Sequence, residues 1–204
     1  MRLLIYDATW VGRPLVQPGL TASWIVGGAL YRGLGRLHAS YGATSWEDAL
    51  AWLCSVEPAR AIDEIQFWGH GTWGRVWIGR DRLDVDALVD ATHSRHADLV
   101  ALRARLCGPS ALLWFRSCST FGREAGQRFA TTWSRFFRCR VAGHTYVIGP
   151  WQSGLHSLAP DESPAWSVRE GLPDDVDEPT HARWSGPFEP NTISCLHGRI
   201  PDGY

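Results

Sequence analysis

The sequence predicts an α/β fold: a three-layer sandwich in which a mainly parallel central sheet is flanked by helices, with a small β-hairpin arm. Three observations point there. Short apolar runs alternate with helical patterns along most of the chain, as expected of parallel strands joined by crossover helices. A length of 204 residues suits one domain with a continuous core. Hydrophobic residues make up 45% and charged residues 20%, the balance of an ordinary globular protein and not of a disordered chain.

Each element has its own signal. Residues 2 to 7, Arg2-Leu3-Leu4-Ile5-Tyr6-Asp7, read as the first strand. A helical stretch spans about Ala22 to Leu34, and a short second strand fits Leu37 to Gly42. Ser45 then caps a helix over Trp46 to Cys54, with Glu47 and Asp48 in the first turn where the helix dipole favours acids. Ile62 to Trp68 is the third strand, and the alternation of Val76, Trp77 and Ile78 between Gly74 and Gly79 predicts the hairpin arm. Helical material occupies about Val85 to Leu106, interrupted by the polar stretch Thr92 to His96 and stopped by Gly108-Pro109.

The fourth strand runs from Ala111 towards Cys118. After it, Phe121, Ala125, Phe129, Trp133 and Phe136 or Phe137 recur at helical spacing, with Gly122 and Gly126 placed to allow a close approach to the sheet. Val141 to Ile148 forms the fifth strand. From Trp151 onward, Pro, Asp and Gly abound and periodicity fades, so residues 151–204 read as a loop-rich extension packed on the domain formed by residues 1–150.

Composition excludes several functions. All 20 basic residues are arginine, yet the net charge is -1, which argues against a dedicated nucleic-acid binder; Arg135, Arg138 and Arg140 complement a helix carboxyl end. The chain opens directly into a strand without the apolar segment and cleavage site of a signal peptide, and no apolar run is long enough for a bilayer. The expectation is a soluble, cytoplasmic protein without a membrane partner. Its five cysteines are odd in number and widely spaced, so reduced thiols are expected.

Two residues carry the functional signal. His70 lies between Gly69 and Gly71 after the apolar run Ile65-Gln66-Phe67-Trp68, and Cys118 ends the run Ala111-Leu112-Leu113-Trp114-Phe115-Arg116-Ser117. Open α/β sheets place ligands at the carboxyl ends of their strands, so side chains from neighbouring strand ends converge on one crevice. A thiolate is the attacking form of cysteine, and an imidazole titrates near neutrality, so such a pair can exchange the proton of an acyl transfer. Cys118 is expected to begin a helix, whose amino end would favour the thiolate. Gly71 presents no side chain to a carbonyl oxygen, and its N–H with that of Cys118 could hold a tetrahedral oxyanion.

In this order, a strand ending His-Gly, a strand ending Cys and a glycine-bearing helix, the chain resembles the caspase-like superfamily of cysteine peptidases. That group includes caspases, metacaspases, separase, gingipain and clostripain types, and self-cleaving bacterial toxin domains. His70 and Cys118 stand 48 positions apart, near the roughly 50 of caspases. The resemblance covers residues 1 to 150, is densest from Ile62 to Gly126, and points to a divergent bacterial-type member. It implies that His70 is the catalytic base, Cys118 the nucleophile, and Gly71 an oxyanion donor. The match departs from caspases around the cysteine, where Arg116-Ser117 replaces Gln-Ala and glycine returns only at Gly122. Cleavage after aspartate therefore does not carry over. In the family, specificity comes from loops after the first and fifth strands, which nominates Asp7, Arg13, Asp161 and Glu162 for substrate side chains.

The expected activity is hydrolysis of a protein or peptide substrate through an acyl-enzyme, with no cofactor and no metal. A pseudopeptidase that binds another protein through tryptophan-bearing surface is the alternative, and an amidase a third possibility. Twelve tryptophans motivate the second reading, among them Trp10, Trp73, Trp77, Trp151 and Trp166 in loops or on the arm. Other candidates have plainer readings. His93 and His96 lack a third ligand and read as solvated; Cys195-Leu196-His197 lacks a matching second pair; His144 reads as a hydrogen-bonded core residue; Asp174 to Glu178 reads as a solvated acidic loop. Oligomeric state leaves no trace in the sequence.

Overall fold

A computed structural model describes residues 1–10, 20–174 and 178–204. Arg13 and part of the acidic run at 174–178 lie outside the described residues. Five parallel strands form most of the central sheet: β1 (Arg2–Asp7), β2 (Ala39–Ala43), β3 (Glu64–Trp68), β7 (Leu112–Arg116) and β8 (Arg140–His144). A sixth, β10 (Leu155–Leu158), pairs antiparallel with β8, giving the order β10-β8-β7-β3-β1-β2. The helices are α1 (Thr21–Gly33), α2 (Trp46–Ser55), α3 (Asp86–Val89), α4 (His96–Arg105) and α5 (Arg123–Phe137). No helix among the described residues is long and apolar enough to cross a membrane.

The period-2 geometry of the strands gives the sheet two unlike faces. Leu3, Ile5, Ile65, Phe67, Leu113, Phe115 and Val141 point into the main core, where they meet α2 through Trp46 and Leu50, α4 through Leu99 and Leu102, and α5 through Phe129, Trp133 and Phe137. The opposite face carries Leu4, Gln66, Trp68, Trp114, Arg116, Ala142 and His144. It is covered by α1, through Tyr31, and by the C-terminal stretch, through Ile193 of the short strand β11 (Ile193–Ser194), which pairs with β9 (Trp151–Gln152). Polar groups sit within this second face, among them Gln66, Arg116 and His144.

Several local expectations hold. The Ser45 hydroxyl accepts the Asp48 N–H at 3.1 Å, capping α2. The polar interruption parts the helical stretch from Val85 to Leu106 into two helices, α3 and α4. Others need correction. Gly126 does permit a close approach, but to the loop ahead of α5 and not to the sheet as expected, since a Cβ there would lie 2.2 Å from the Phe121 carbonyl carbon. The segment after His70 is a three-stranded antiparallel meander, β4 (His70–Thr72), β5 (Arg75–Ile78) and β6 (Asp81–Leu83), and it does not project. Val76, Ile78 and Leu83 are buried in the main core, which binds the meander to the domain. Residues 151–204 are more than loops, because β10 completes the sheet; its pattern Leu-His-Ser-Leu is too short and polar to announce a strand.

Candidate active site

His70 and Cys118 lie just past the ends of the adjacent parallel strands β3 and β7, whose register sets Trp68 beside Arg116. Both residues line one pocket of about 330 Å³ on the sheet face covered by α1 and the C-terminal stretch. Main-chain bonds fix their loops together. The β4–β5 turn donates from Trp73 N–H to the Ser119 carbonyl (2.9 Å) and from Gly74 N–H to the Thr120 carbonyl (2.8 Å). On its other side the cysteine loop donates from Ser119 N–H to the Tyr146 carbonyl (2.8 Å) and from Phe121 N–H to the His144 carbonyl (2.9 Å). Thus the segment that carries the thiol is pinned between the meander and the end of β8.

The loop also holds strained backbone. Ser119, next to Cys118, has φ +44°, a left-handed conformation costly for a residue with a Cβ and one that clusters at functional sites. Gly71 packs so tightly that a Cβ would lie 2.4 Å from Thr120 Oγ1 and 2.8 Å from Ser117 Oγ. Those two hydroxyls are themselves hydrogen-bonded at 2.6 Å. Because Thr72 and Arg75 close a two-residue turn, strand alternation makes Gly71 and Val76 a non-hydrogen-bonded pair, so the Gly71 N–H faces away from β5. The Cys118 N–H donates to no backbone carbonyl among the described residues and lies close to its own sulfur.

The electrostatics of the thiol differ from expectation. Cys118 does not begin a helix: α5 starts only at Arg123, so the helix amino end is not at the sulfur. The Sγ lies 3.9 Å from the Ile148 carbonyl oxygen, to which its S–H donates weakly. Cys118 keeps some solvent contact, yet burial raises its pKa above the ordinary thiol value, and backbone hydrogen bonding offsets this only in part. His70 is half-buried, and its ring meets the Trp24 ring edge to face at 5.5 Å between centroids. Trp24, on α1, both props the imidazole and walls the pocket.

Arg116, two residues before the cysteine, is the charged group of this pocket that sequence reading passed over. It is buried and forms no ion pair among the described residues, so neutral acceptors surround it. Nε–H and one Nη2–H donate to Gln152 Oε1 at 3.0 and 2.7 Å, and Nη2 also donates to the Cys195 carbonyl at 3.0 Å. Nη1 donates to the Tyr31 hydroxyl (2.6 Å) and to the His197 carbonyl (3.1 Å). The indole of Trp114 lies 4.6 Å from the guanidinium carbon. Tyr31 in turn donates to the same tail carbonyls. The Cys195-Leu196-His197 stretch is therefore a main-chain clamp on a buried cation; no group of three metal-binding side chains occurs among the described residues.

Of the nominated specificity residues, Asp7, Asp161 and Glu162 do not line this pocket. Asp7 is 1% exposed, and its carboxylate is occupied by the Thr9 N–H and hydroxyl (2.8 and 2.6 Å) and the Gly79 N–H (2.9 Å). It brackets β1 to the meander instead of facing substrate. Asp161 and Glu162 are exposed on a turn closed on itself, where Glu162 accepts the Ala159 N–H. His144 is fully buried, with Nδ1 donating to the Ser153 carbonyl at 3.2 Å, and burial pushes its pKa down to about 3. Trp166, assigned to a loop surface, is buried and stacks on Phe121. Compared with known proteins, the chain matches no family model and no curated sequence.

Proposed function

We propose that this chain is a cysteine peptidase of caspase-like fold, with Cys118 as nucleophile and His70 as proton shuttle. One observation carries the reading: the ends of two neighbouring parallel strands deliver a thiol and an imidazole to the wall of one pocket. In the proposed cycle His70 takes the thiol proton as sulfur attacks the peptide carbonyl carbon. The proton then passes to the departing amine as the C–N bond breaks, and water hydrolyses the thioester to release the acid and restore the thiol. The Cys118 N–H, which no backbone carbonyl engages among the described residues, and the outward Gly71 N–H support an oxyanion site, and the strained Ser119 supports a loop shaped for function.

The test is cleavage of a diverse peptide library by the wild type beside Cys118→Ala and His70→Ala. Products from the wild type alone are expected; identical silence from all three, over a range of pH and calcium, would sink the proposal. A second reading, a pseudopeptidase that binds a protein partner, draws support from the raised Cys118 pKa, since a protonated resting thiol is a poor nucleophile.

A further inference from the structure

We infer that the pocket beside Cys118 takes a large apolar side chain of the substrate, and that Arg116 fixes the pocket's wall without pairing with a substrate carboxylate. The inference rests on the peptidase reading and names its substrate class. A lone arginine in a substrate pocket invites the opposite conclusion, that it recognises acidic residues. The hydrogen bonds decide against it. A guanidinium has five N–H groups, and all five of Arg116 are engaged by Gln152, Tyr31 and the carbonyls of Cys195 and His197. A carboxylate entering the pocket would lose water and find no unengaged donor on that guanidinium, unless it expelled the C-terminal clamp that forms one wall.

The rest of the lining favours carbon. Trp24, Leu30, Trp68, Ile148, Pro150 and Leu196 surround the space next to the sulfur, and no carboxylate lines it among the described residues. A volume near 330 Å³ lies at the lower end of the ~300–1,000 Å³ typical of small-ligand pockets, room for a phenylalanine or leucine side chain and part of its neighbour. Gly27 lets α1 pack directly on the Trp68 wall: a Cβ there would sit 2.7 Å from the Trp68 ring. The occupied guanidinium also explains why the C-terminal stretch lies here, as Leu196 enters the wall between the two clamped carbonyls.

The experiment compares alkylation of wild-type protein by three peptidyl chloromethyl ketones that differ only in the residue next to the warhead, phenylalanine, aspartate or lysine, with iodoacetamide as the small control. In each peptidyl case sulfur bonds to the methylene carbon and chloride leaves. Peptide mapping separates Cys118 from Cys195, the other thiol in the wall. Burial of the aromatic side chain should make the phenylalanine probe roughly 10- to 100-fold faster at Cys118 than the aspartate or lysine probe. In Leu30→Glu, at an exposed position on the pocket rim, that preference should collapse and the lysine probe should overtake it. Faster labelling by the aspartate probe overturns the inference and leaves the peptidase reading standing, as does a lysine preference in the wild type. Equal rates for all probes also overturn it, and the peptidase reading falls with it only if the peptide library stays uncut.

Discussion

Replacing Arg116 with methionine should loosen the C-terminal stretch and lower stability by an amount that its hydrogen bonds allow one to work out. Methionine keeps much of the packing against Trp114 but offers no donor. Gln152 Oε1, on a residue 7% exposed, loses both of its guanidinium partners, while the single Tyr31 hydroxyl proton can serve only one of the two tail carbonyls. Two acceptors are thus left without partners, each costing about 1–3 kcal/mol where water cannot replace the bond. The tail carbonyl is only part-buried and can rehydrate, and the variant no longer desolvates a charge. A net loss of ~2–4 kcal/mol follows, a large share of the ~5–15 kcal/mol typical of a folded domain. At ~2–4 °C per kcal/mol for a chain of this size, Tm should fall by roughly 5–15 °C. Hydrogen exchange should quicken at residues 193–199 first, because their carbonyl clamp is gone. Lysine should restore little, since an ammonium cannot present the planar five-donor fork. If the methionine variant melts within about 2 °C of the wild type with that segment equally protected, the reasoning about the clamp is wrong.

Four further outcomes follow from the structure. Gly71→Ala should displace the Cys118 loop through its contacts with Thr120 and Ser117, costing ~1–3 kcal/mol by thermal melting and, on the peptidase reading, most of the activity; an unperturbed variant would mean that Gly71 is not packed as described. His144, whose folded pKa of about 3 lies below the ordinary 6.5, binds its proton more readily when unfolded. Stability should be unaffected above pH 6.5 and fall by up to ~1.4 kcal/mol per pH unit from there towards pH 3, and His144→Gln should flatten that slope in pH-dependent denaturant melts. Glu170 acts in a lower window: burial alone would raise its pKa, but His156 and Thr145 hold it below the carboxylate norm, so its contribution persists above about pH 4.5 and is lost only in stronger acid. Finally, at neutral pH iodoacetamide should label the exposed Cys195 before the desolvated Cys118; the reverse order would show a thiol activated at rest.

The parts of the fold written plainly in the sequence are those with local physical causes. Continuous apolar runs mark β1, β3, β7 and β8, and the Ser45 cap with Glu47 and Asp48 behind it marks the start of α2 within a residue. His70 and Cys118 are legible as strand-end residues because each follows an apolar run, while the pairing of those two strands is seen only in the sheet. What stayed hidden depends on distant pairing. β10 is a short edge strand specified by β8, not by its own pattern. Asp7 looked available, although the spacing Asp7-Ala8-Thr9 is that of an aspartate closing a turn on the residue two positions on, and the Gly79 donor comes from 72 positions away. The signal for Arg116 was a charge ending an otherwise apolar strand, with Gln66 on the preceding one. Such a pair on a buried face implies that polar partners must be brought to it, here by Tyr31, Gln152 and the carbonyls of Cys195 and His197.

The two faces of the sheet divide the work, and that division constrains the chemistry of the thiol. The face under α2, α4 and α5 is apolar and holds the domain together; the other face carries the buried arginine and histidine, and the candidate site opens at its carboxyl edge. A thiolate at rest would need positive charge free to reach it. The amino end of α5 comes too late in the chain, His144 is neutral, and the Arg116 donors are all turned to neutral oxygens. On the peptidase reading Cys118 therefore waits as a neutral thiol, and His70 removes the proton as sulfur attacks, so that charge develops on the substrate oxygen beside the Gly71 and Cys118 N–H groups. An apolar pocket is compatible with that order of events, because no ion has to be sheltered in it before the substrate arrives.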